Sequence, residues 1–416
     1  MASVASIVRS AIPGVTAVVS DNSTNPDDAA RLRDFCARQP PGTVDYVEPP
    51  KPLAMPAHWE WLWGHIEKAV SPSHVSYLTD RMVFAAGALA ELVDVISAFP
   101  EHVVSYHLDH VNDASSPVEL VQTPWTGQLL ELDCAKLIEL SSRGVIGDYL
   151  PLLMTSIAPA ETVGAIEQRF GDVFGTVSPD YRFAYRCLAV CEAVLYLDRP
   201  CLVQHGMHRS AGVNYIRGNI NEDAADFGRT LTVERFGATP EPAFETISNA
   251  IFQEYCGVRH ELGGDRFPAP DWRGYLTANA IAVDRIEEPE WRARMQDLLR
   301  RRGWTRWDSA RHVAGLSLRM AAYLVRNPAA LARTIKRQLW DRPPGTALAF
   351  LLPKLGLDPR IREHLRFESA AEAIAYADSH PRAPTRSAWH VDELASAGAV
   401  VSRRRGGPGD GATDRR

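Results

Sequence analysis

No stretch of the 416-residue chain is apolar for long enough to cross a membrane. A spanning helix needs roughly 18 to 20 consecutive apolar residues, and the N-terminus lacks the charged and then apolar pattern of a secretory signal. The six cysteines show no C-x-x-C spacing, so they indicate neither a metal nor a redox motif. We therefore predict a cytoplasmic protein.

The chain also lacks the features of a nucleic-acid or metal-binding protein. Its formal net charge is −6, which gives no general case for nucleic acid as a partner, and no nucleic-acid-binding motif occurs. The histidine pairs His107/His110 and His205/His208 have no cysteine or glutamate to complete a ligand set, so they predict no metal site. With 45% hydrophobic and 23% charged residues, the composition is that of an ordinary globular protein.

Two short apolar runs, at residues 15–19 and 75–78, each end next to an aspartate. Each run is followed by a polar turn and then by a helical pattern, which predicts two strand-turn-helix units. Ligands of open α/β sheets bind beyond the carboxyl ends of the strands. If the two strands lie side by side and parallel, Asp21 and Asp80 face one crevice.

Strand-like and helix-like segments alternate through the first half of the chain, which predicts an α/β fold with a mostly parallel, Rossmann-like sheet flanked by helices. This core is predicted over residues 1–218. An all-helical C-terminal region follows over 219–345, and a tail over 346–416. The tail is rich in Pro, Gly, Ser and Arg from about residue 380, where we expect disorder.

Four motifs in the core follow one another in an order that is more informative than any of them alone. They are Val18-Val19-Ser20-Asp21-Asn22-Ser23-Thr24, then Leu53-Ala54-Met55-Pro56-Ala57-His58-Trp59, then Tyr77-Leu78-Thr79-Asp80-Arg81 with Gly87-Ala88-Leu89, then Ser178-Pro179-Asp180. Together they resemble a family 2 glycosyltransferase, a nucleotide-sugar transferase with the GT-A fold. The resemblance covers roughly the first half of the chain. It implies a nucleotide-sugar half over 1–115 and an acceptor half over 116–218.

The resemblance implies transfer of a sugar, with inversion, from a UDP-sugar or another nucleotide-diphosphate sugar. The acceptor would be a hydroxyl of a saccharide or lipid-linked saccharide in surface polysaccharide or glycan synthesis. Asp180 would be the general base, because the attacking hydroxyl must lose a proton as the anomeric bond forms. The residues implied at the nucleotide-sugar donor are Asp21, Asn22, His58, Asp80, Arg81, His208 and Arg209.

Two features depart from the family pattern. Arg81 stands where the family has a second metal-binding aspartate, so Asp80 is the one candidate ligand for Mn²⁺ or Mg²⁺, and such a metal is doubtful. We expect Arg81, with His208 or Arg209, to neutralise the diphosphate instead. The family's first strand is also missing ahead of residue 15, so either the true start lies upstream or part of the donor site has been lost.

Other interpretations of the same residues stay open. Asp21 suits an Asx turn, and Asp80 and Asp180 suit helix caps. Arg81 and the missing strand would also fit a degenerate, non-catalytic nucleotide-sugar-binding protein. A nucleotidyltransferase is a further alternative, which the absence of G-x-G-x-x-G and G-K-[ST] motifs disfavours.

The segment 292–342 is basic and contains several tryptophans. Such a composition is typical of an amphipathic segment at a membrane surface, where a lipid-linked acceptor at the inner membrane face would be reached. An equally good interpretation is a helical subdomain that clamps the core or forms a homodimer.

Overall fold

The structure is a computed structural model that describes residues 1–175, 178–206, 238–240 and 243–305, short segments between 307 and 328, and residues 363–405. The elements up to residue 142 are α1 (Ala2–Ser10), β1 (Ala17–Ser20), α2 (Pro26–Ala37), β2 (Val44–Val47), α3 (Met55–Ala69), β3 (His74–Val75), β4 (Met82–Phe84), α4 (Ala88–Ala98), β5 (Val104–Asn112), β6 (Val118–Gln122), β7 (Gln128–Asp133) and α5 (Cys134–Ser142).

A short 3₁₀ turn, Leu153–Thr155, opens the second part of the chain. The elements after it are β8 (Ser156–Pro159), α6 (Ala160–Phe170), α7 (Pro179–Val190), β9 (Ala193–Gln204), α8 (Ile247–Glu261), α9 (Trp272–Asp284), α10 (Pro289–Arg301), β10 (Glu363–Phe367), α11 (Ala370–Ser379), α12 (Trp389–Ser396) and β11 (Val400–Arg405). No helix in the described part of the chain is long and apolar enough to cross a membrane.

The central sheet runs in the order β10-β6-β5-β9-β7-β11, with β4 on the second half of β9 and β8 on the start of β5. The predicted α/β class, with a central sheet flanked by helices, is confirmed. The sheet is mixed rather than mostly parallel: β5 and β9 pair in parallel, whereas β6, β7, β10 and β11 join their neighbours antiparallel. The sequence pattern did not reveal this because β5 and β6 are linked by a short hairpin-like connection rather than by a helix.

The first predicted strand forms a small sheet of its own. β1 pairs in parallel with β2, from Ala17 opposite Val44 to Ser20 opposite Val47. Among the described residues it pairs with no other strand, so the expected side-by-side arrangement of the runs at 15–19 and 75–78 is wrong.

The second predicted strand is also different from the expectation. Only His74–Val75 is a strand, and the strand of the central sheet comes after Asp80, at Met82–Phe84. Beyond Val75 the Tyr77 N–H donates to the Leu153 carbonyl at 3.2 Å, and the Tyr77 ring packs against Trp59 and Phe174 at centroid distances of 5.1 and 5.3 Å. Asp80 therefore lies in the turn that precedes β4, not at the carboxyl end of a buried strand.

Helix α1 covers the edge of β4 that no strand occupies in the described structure. The Phe84 backbone N–H donates to Ser6 Oγ at 3.1 Å, and Ser3 Oγ donates to the carbonyl of Thr79 at 3.1 Å. The hydroxyl groups of these two buried serines thus pair with backbone groups that a neighbouring strand would otherwise pair with. This contact fixes the turn that carries Asp80 and Arg81.

Alternate residues of β9 face two hydrophobic layers. Val194 and Tyr196 face a large cluster with Trp63, Leu137 and Phe183 from α3, α5 and α7. Leu195 and Leu197 face the opposite cluster, which contains Leu92 of α4. Both faces of the sheet are therefore covered by helices, as in other layered α/β proteins.

A third cluster holds α8, α9 and α10 together around Phe252 and Tyr275. The apolar face of α10, with Trp291, Met295 and Leu298, is buried in it. For this described part of 292–342, the apolar face contacts protein, as the helical-subdomain interpretation requires.

The C-terminal segment is folded where we expected disorder. β10 pairs with β6 and β11 pairs with β7, so the segment adds strands to both edges of the central sheet. Between them α12 buries Trp389, Val391 and Leu394. The prediction of disorder from about residue 380 is wrong for residues up to 405, because these few apolar residues outweigh the polar composition around them. The elements described within 219–345 are helices.

Candidate functional site

The carboxylate of Asp21 is buried just after β1. Its backbone N–H continues the ladder by donating to the Val47 carbonyl at 2.9 Å. Its two oxygens accept from the Ser23 backbone N–H at 2.9 Å and from the Tyr46 hydroxyl at 2.6 Å. Burial opposes ionisation, but these hydrogen bonds outweigh it and hold the pKa of Asp21 below its usual value.

Asn22 and His58 lie beside Asp21, as the resemblance implied. The Asn22 side chain donates to the Leu53 carbonyl at 2.8 Å and accepts from the Leu53 N–H at 2.9 Å, which ties the loop before α3 to the end of β1. His58 Nε2 lies 2.6 Å from Ser20 Oγ. Burial lowers the pKa of His58, against the opposing effect of the Asp21 charge. The structure thus brings three of the predicted residues together.

Sequence reasoning missed the groups that hold Asp21. The Tyr46 hydroxyl lies 2.6 Å from Asp21 Oδ2 and also 2.6 Å from Glu48 Oε1. A phenol has a single proton and can donate to one carboxylate at a time, and burial together with both carboxylates raises the pKa of Tyr46. Glu48 in turn forms an ion pair with Arg33. Tyr46 on β2 and Glu48 just after it are two residues apart, so their side chains lie on the same side of the extended chain, and this spacing was the sequence signal for the contact.

Asp80 and Arg81 form a second group, at the turn before β4. Asp80 is 79% exposed, and its Oδ1 lies 3.7 Å from Arg81 Nε. The Arg81 carbonyl accepts from the His205 N–H at 2.9 Å, and Arg81 Nη1 donates to the Gly206 carbonyl at 3.4 Å. Gly206 has φ of +67°, and a Cβ there would lie 3.0 Å from Arg81 Cδ. A glycine is therefore required where the Arg81 side chain crosses the end of β9.

The residues around Asp80 do not fit Mn²⁺ or Mg²⁺. Such ions take oxygen ligands and usually one or two carboxylates, whereas the Asp80 carboxylate already faces the Arg81 guanidinium. In the part of the chain that the structure describes, Asp80 belongs to no group of three converging His, Cys, Asp or Glu side chains. His208 and Arg209, the other predicted donor residues, lie outside the described residues.

Asp180 lies in the first turn of α7, and burial raises its pKa to about 6, against hydrogen bonds from backbone N–H groups such as that of Tyr181. Glu254 of α8, which the sequence did not single out, lies close enough to interact with it. Burial raises the pKa of Glu254 to about 7, although Arg182 opposes the shift. Glu254 accepts from the Ser178 N–H at 2.8 Å and pairs with Arg182 at 3.1 Å. Two carboxyl groups that ionise near neutral pH therefore adjoin the start of α7.

A network of charges connects α7 with α8. Arg182 pairs with Glu261 at 2.7 Å, and Arg186 pairs with both Glu261 at 3.1 Å and Asp172 at 2.8 Å. The Arg186 guanidinium also lies 4.9 Å from the centre of the Phe170 ring. These contacts fix the loop before α7, and with it the position of Asp180.

A cavity of about 1170 Å³ extends along this network. Its wall includes Ala57 and Glu60 of α3, Gly175 and Arg182 near the start of α7, and His260 of α8. Ala57 adjoins His58 in the chain, and Arg182 follows Asp180 by two residues. Asp21, His58 and Asp180 are not among the residues that line the cavity. No contact between described residues joins Asp80 to either group, so the single crevice expected for Asp21 and Asp80 has no direct support.

No family model matches the chain, and no curated protein matches it. The solved structures similar to it include three of TarS from S. aureus. TarS 1-349 gives a TM-score of 0.38 at 11% identity, covering 68% of this chain and 76% of that one. The same fragment in complex with UDP-GlcNAc gives 0.38 at 12%, covering 68% and 78%, and TarS gives 0.36 at 12%, covering 69% and 47%. Similarity at this level identifies neither a family nor an activity.

Proposed function

We propose that the chain is an inverting, GT-A-type glycosyltransferase that moves a sugar from a nucleotide-diphosphate sugar to an acceptor hydroxyl. The observation that carries the proposal is Asp180, a carboxyl group in the first turn of α7 whose pKa is raised to about 6 by burial and which lies near the carboxyl group of Glu254. A general base works best when its pKa lies near the operating pH. The order of the four sequence motifs supports the same activity.

The proposed reaction assigns one step to each group. The acceptor oxygen attacks the anomeric carbon, its proton passes to the Asp180 carboxylate, and the bond from that carbon to the phosphate oxygen breaks. The nucleoside diphosphate then leaves with an added negative charge, which the Arg81 guanidinium neutralises. Asp21, held by Tyr46, accepts hydrogen bonds from N–H or O–H groups of the nucleoside. No step uses a divalent metal.

A saccharide or lipid-linked saccharide is the proposed acceptor, at the inner membrane face in the lipid-linked case. The exposed arginines of α10 would supply the membrane contact. Arg294, Arg300 and Arg301 are largely exposed, whereas the apolar face of the helix is buried in protein. Contact with anionic lipid would therefore be electrostatic and sensitive to salt.

A screen of UDP-, GDP- and dTDP-sugars by thermal shift and by hydrolysis tests the proposal. We expect one donor to raise the melting temperature and to be hydrolysed slowly. Asp21→Ala should weaken binding of that donor by about 10- to 100-fold, because it removes hydrogen bonds to a charged acceptor. Asp34→Ala, at an exposed site on α2, is the matched control and should bind normally. Binding without hydrolysis or transfer would identify the non-catalytic alternative, and no response to any nucleotide would refute the proposal.

Arg81→Ala is expected to lower kcat/KM for transfer by about 10- to 100-fold, since a hydrogen bond to a charged group contributes about 1.5–3 kcal/mol. Added Mn²⁺ or Mg²⁺ should not raise the rate of the unmodified enzyme. Arg31→Ala, on the exposed surface of α2, controls for a general loss of positive charge. Full activity in Arg81→Ala, together with a requirement for Mn²⁺, would show that Arg81 does not neutralise the leaving diphosphate.

A further inference from the structure

Three side chains from distant parts of the chain converge inside the central sheet. They are His107 of β5, Asp198 of β9 and His390 of α12, and their ligand atoms all lie within 4.8 Å of one another. His107 Nε2 lies 3.3 Å and His390 Nε2 lies 2.5 Å from the same oxygen, Asp198 Oδ1. This cluster takes no part in the proposed sugar transfer.

An irregularity in the sheet positions Asp198. The parallel ladder pairs Tyr106 with Leu197 and then His107 with Pro200, so Asp198 and Arg199 are extra residues of β9. Bulges of this kind change the direction of a side chain. Thr126 then holds Asp198 Oδ2 through its N–H at 2.7 Å and its hydroxyl at 2.5 Å. Because Thr126 occupies Oδ2, Oδ1 faces the two imidazoles. Thr126 thus orients Asp198 in the way that an outer hydrogen-bond partner orients a metal-binding carboxylate.

Asp198 is fully buried, where an uncompensated carboxylate charge is very unfavourable, so a cation beside Oδ1 would stabilise it. The neighbouring Asp109, also buried, pairs with Arg382 at 2.7 Å. In the described structure no arginine or lysine contacts Asp198, which meets two imidazoles instead.

His107 has the geometry of a ligand without its ion. Its side chain is 1% exposed, and within the described residues neither ring nitrogen makes a well-aligned hydrogen bond. The 3.3 Å between His107 Nε2 and Asp198 Oδ1 is close to the spacing of two ligands around a tetrahedral ion with bonds of about 2.0–2.1 Å. The 2.5 Å between His390 Nε2 and Asp198 Oδ1 is a hydrogen-bond distance, so the His390 ring must move away from that oxygen when an ion binds.

We propose that His107, Asp198 and His390 bind one divalent transition-metal ion of the zinc type, which ties α12 to the central sheet. Two imidazole nitrogens and one carboxylate oxygen suit zinc and its neighbours rather than Mg²⁺ or Ca²⁺. Because His390 belongs to the C-terminal segment, the ion can form all three bonds only when that segment is docked. Metal binding is therefore coupled to folding of the segment, and it is independent of the proposed transferase activity.

The test uses the full chain purified without a histidine tag. Elemental analysis should find about one zinc per chain, and Zn²⁺ added to chelator-treated protein should raise its melting temperature. His390→Ala should weaken Zn²⁺ binding by at least about 100-fold by titration calorimetry and abolish the thermal shift. His380→Ala, a nearby exposed histidine at the end of α11, should behave as the unmodified protein.

Circular dichroism of each variant separates loss of the metal from loss of the fold. Because His390 is 17% exposed at the start of a short helix, its replacement should leave the rest of the sheet intact. Folded unmodified protein that takes up no Zn²⁺, Co²⁺ or Ni²⁺ would overturn the proposal. So would a folded His390→Ala variant that binds Zn²⁺ as tightly as the unmodified protein.

Discussion

Asp180→Asn is expected to lower kcat for sugar transfer by about 10²- to 10⁴-fold, the usual effect of losing a general base. An amide at this position keeps the size of the side chain but accepts no proton from the acceptor hydroxyl. Donor binding should be unchanged, because Asp180 makes no contact with the Asp21 group among the described residues. Steady-state transfer kinetics with the donor found by the screen measure the change. Asp34→Asn, at an exposed position of α2, is the control for removing one carboxylate.

The pH dependence of kcat/KM gives a second readout of Asp180. Because burial raises its pKa to about 6, the base is protonated and inactive below that pH, and the rate should rise towards a plateau above it. Glu254→Gln should keep this acid limb, since Glu254, with its pKa raised to about 7, is not the proposed base. If Glu254→Gln abolishes the limb while Asp180→Asn retains it, the two residues have been assigned the wrong way round.

Two helices begin where strong local sequence signals place them. α2 begins at Pro26 after Asn25, whose side chain accepts from the Asp27 N–H, and α9 begins at Trp272 after Asp271, which caps it in the same way. Both starts combine a capping side chain with a proline or a periodic apolar face. Such signals act within one turn of helix, so tertiary contacts hardly alter them.

A segment in which the apolar residues do not alternate cannot be assigned to a strand or a helix from the sequence. The pattern of residues 129–140 alone suits one helix, but the structure has β7 up to Asp133 and then α5, where the Asp133 carboxylate accepts from the Lys136 N–H and caps the helix. Leu129 and Leu130 are both buried because β7 is covered on both faces. A strand without alternation cannot be distinguished from a buried helix by its sequence pattern.

Site residues could be predicted from the sequence only where they lie close together in the chain or belong to one of the four sequence motifs. Asp21 and Asn22 follow a recognisable strand, and the resemblance added His58 from the next motif. Glu254 was missed because it reaches Asp180 from α8, in a region that had been treated as separate. The contact of His390 with Asp198 spans 192 residues. No spacing rule in a single sequence connects residues so far apart.

Arg186→Ala is expected to lower the free energy of unfolding by about 1.5–3 kcal/mol, the range for losing a hydrogen bond to a charged group, because Arg186 is buried whereas Asp172 and Glu261 are 39% and 29% exposed. The Arg186 side chain is 1% exposed and lies between Asp172 and Glu261, and its Nη1 also donates to the Asp172 carbonyl at 2.7 Å. Truncation leaves a cavity under the Phe170 ring and removes the cation from Asp172, whereas Glu261 keeps its ion pair with Arg182. Urea denaturation followed by circular dichroism measures the loss.

Two further variants distinguish the stabilisation by the hydrogen-bonded network around Arg186 from the effect of removing a positive charge. Arg186→Lys keeps the charge but cannot reproduce the planar fork of donors, so its loss should lie between those of the alanine variant and the unmodified protein. Arg300→Ala breaks a surface ion pair in which the arginine is 70% exposed, and should cost less than about 1 kcal/mol. Equal losses for Arg186→Ala and Arg300→Ala would mean that the network does not stabilise the fold. If the predicted order is found, the charges between α7 and α8 are what hold the start of α7, and therefore Asp180, in place.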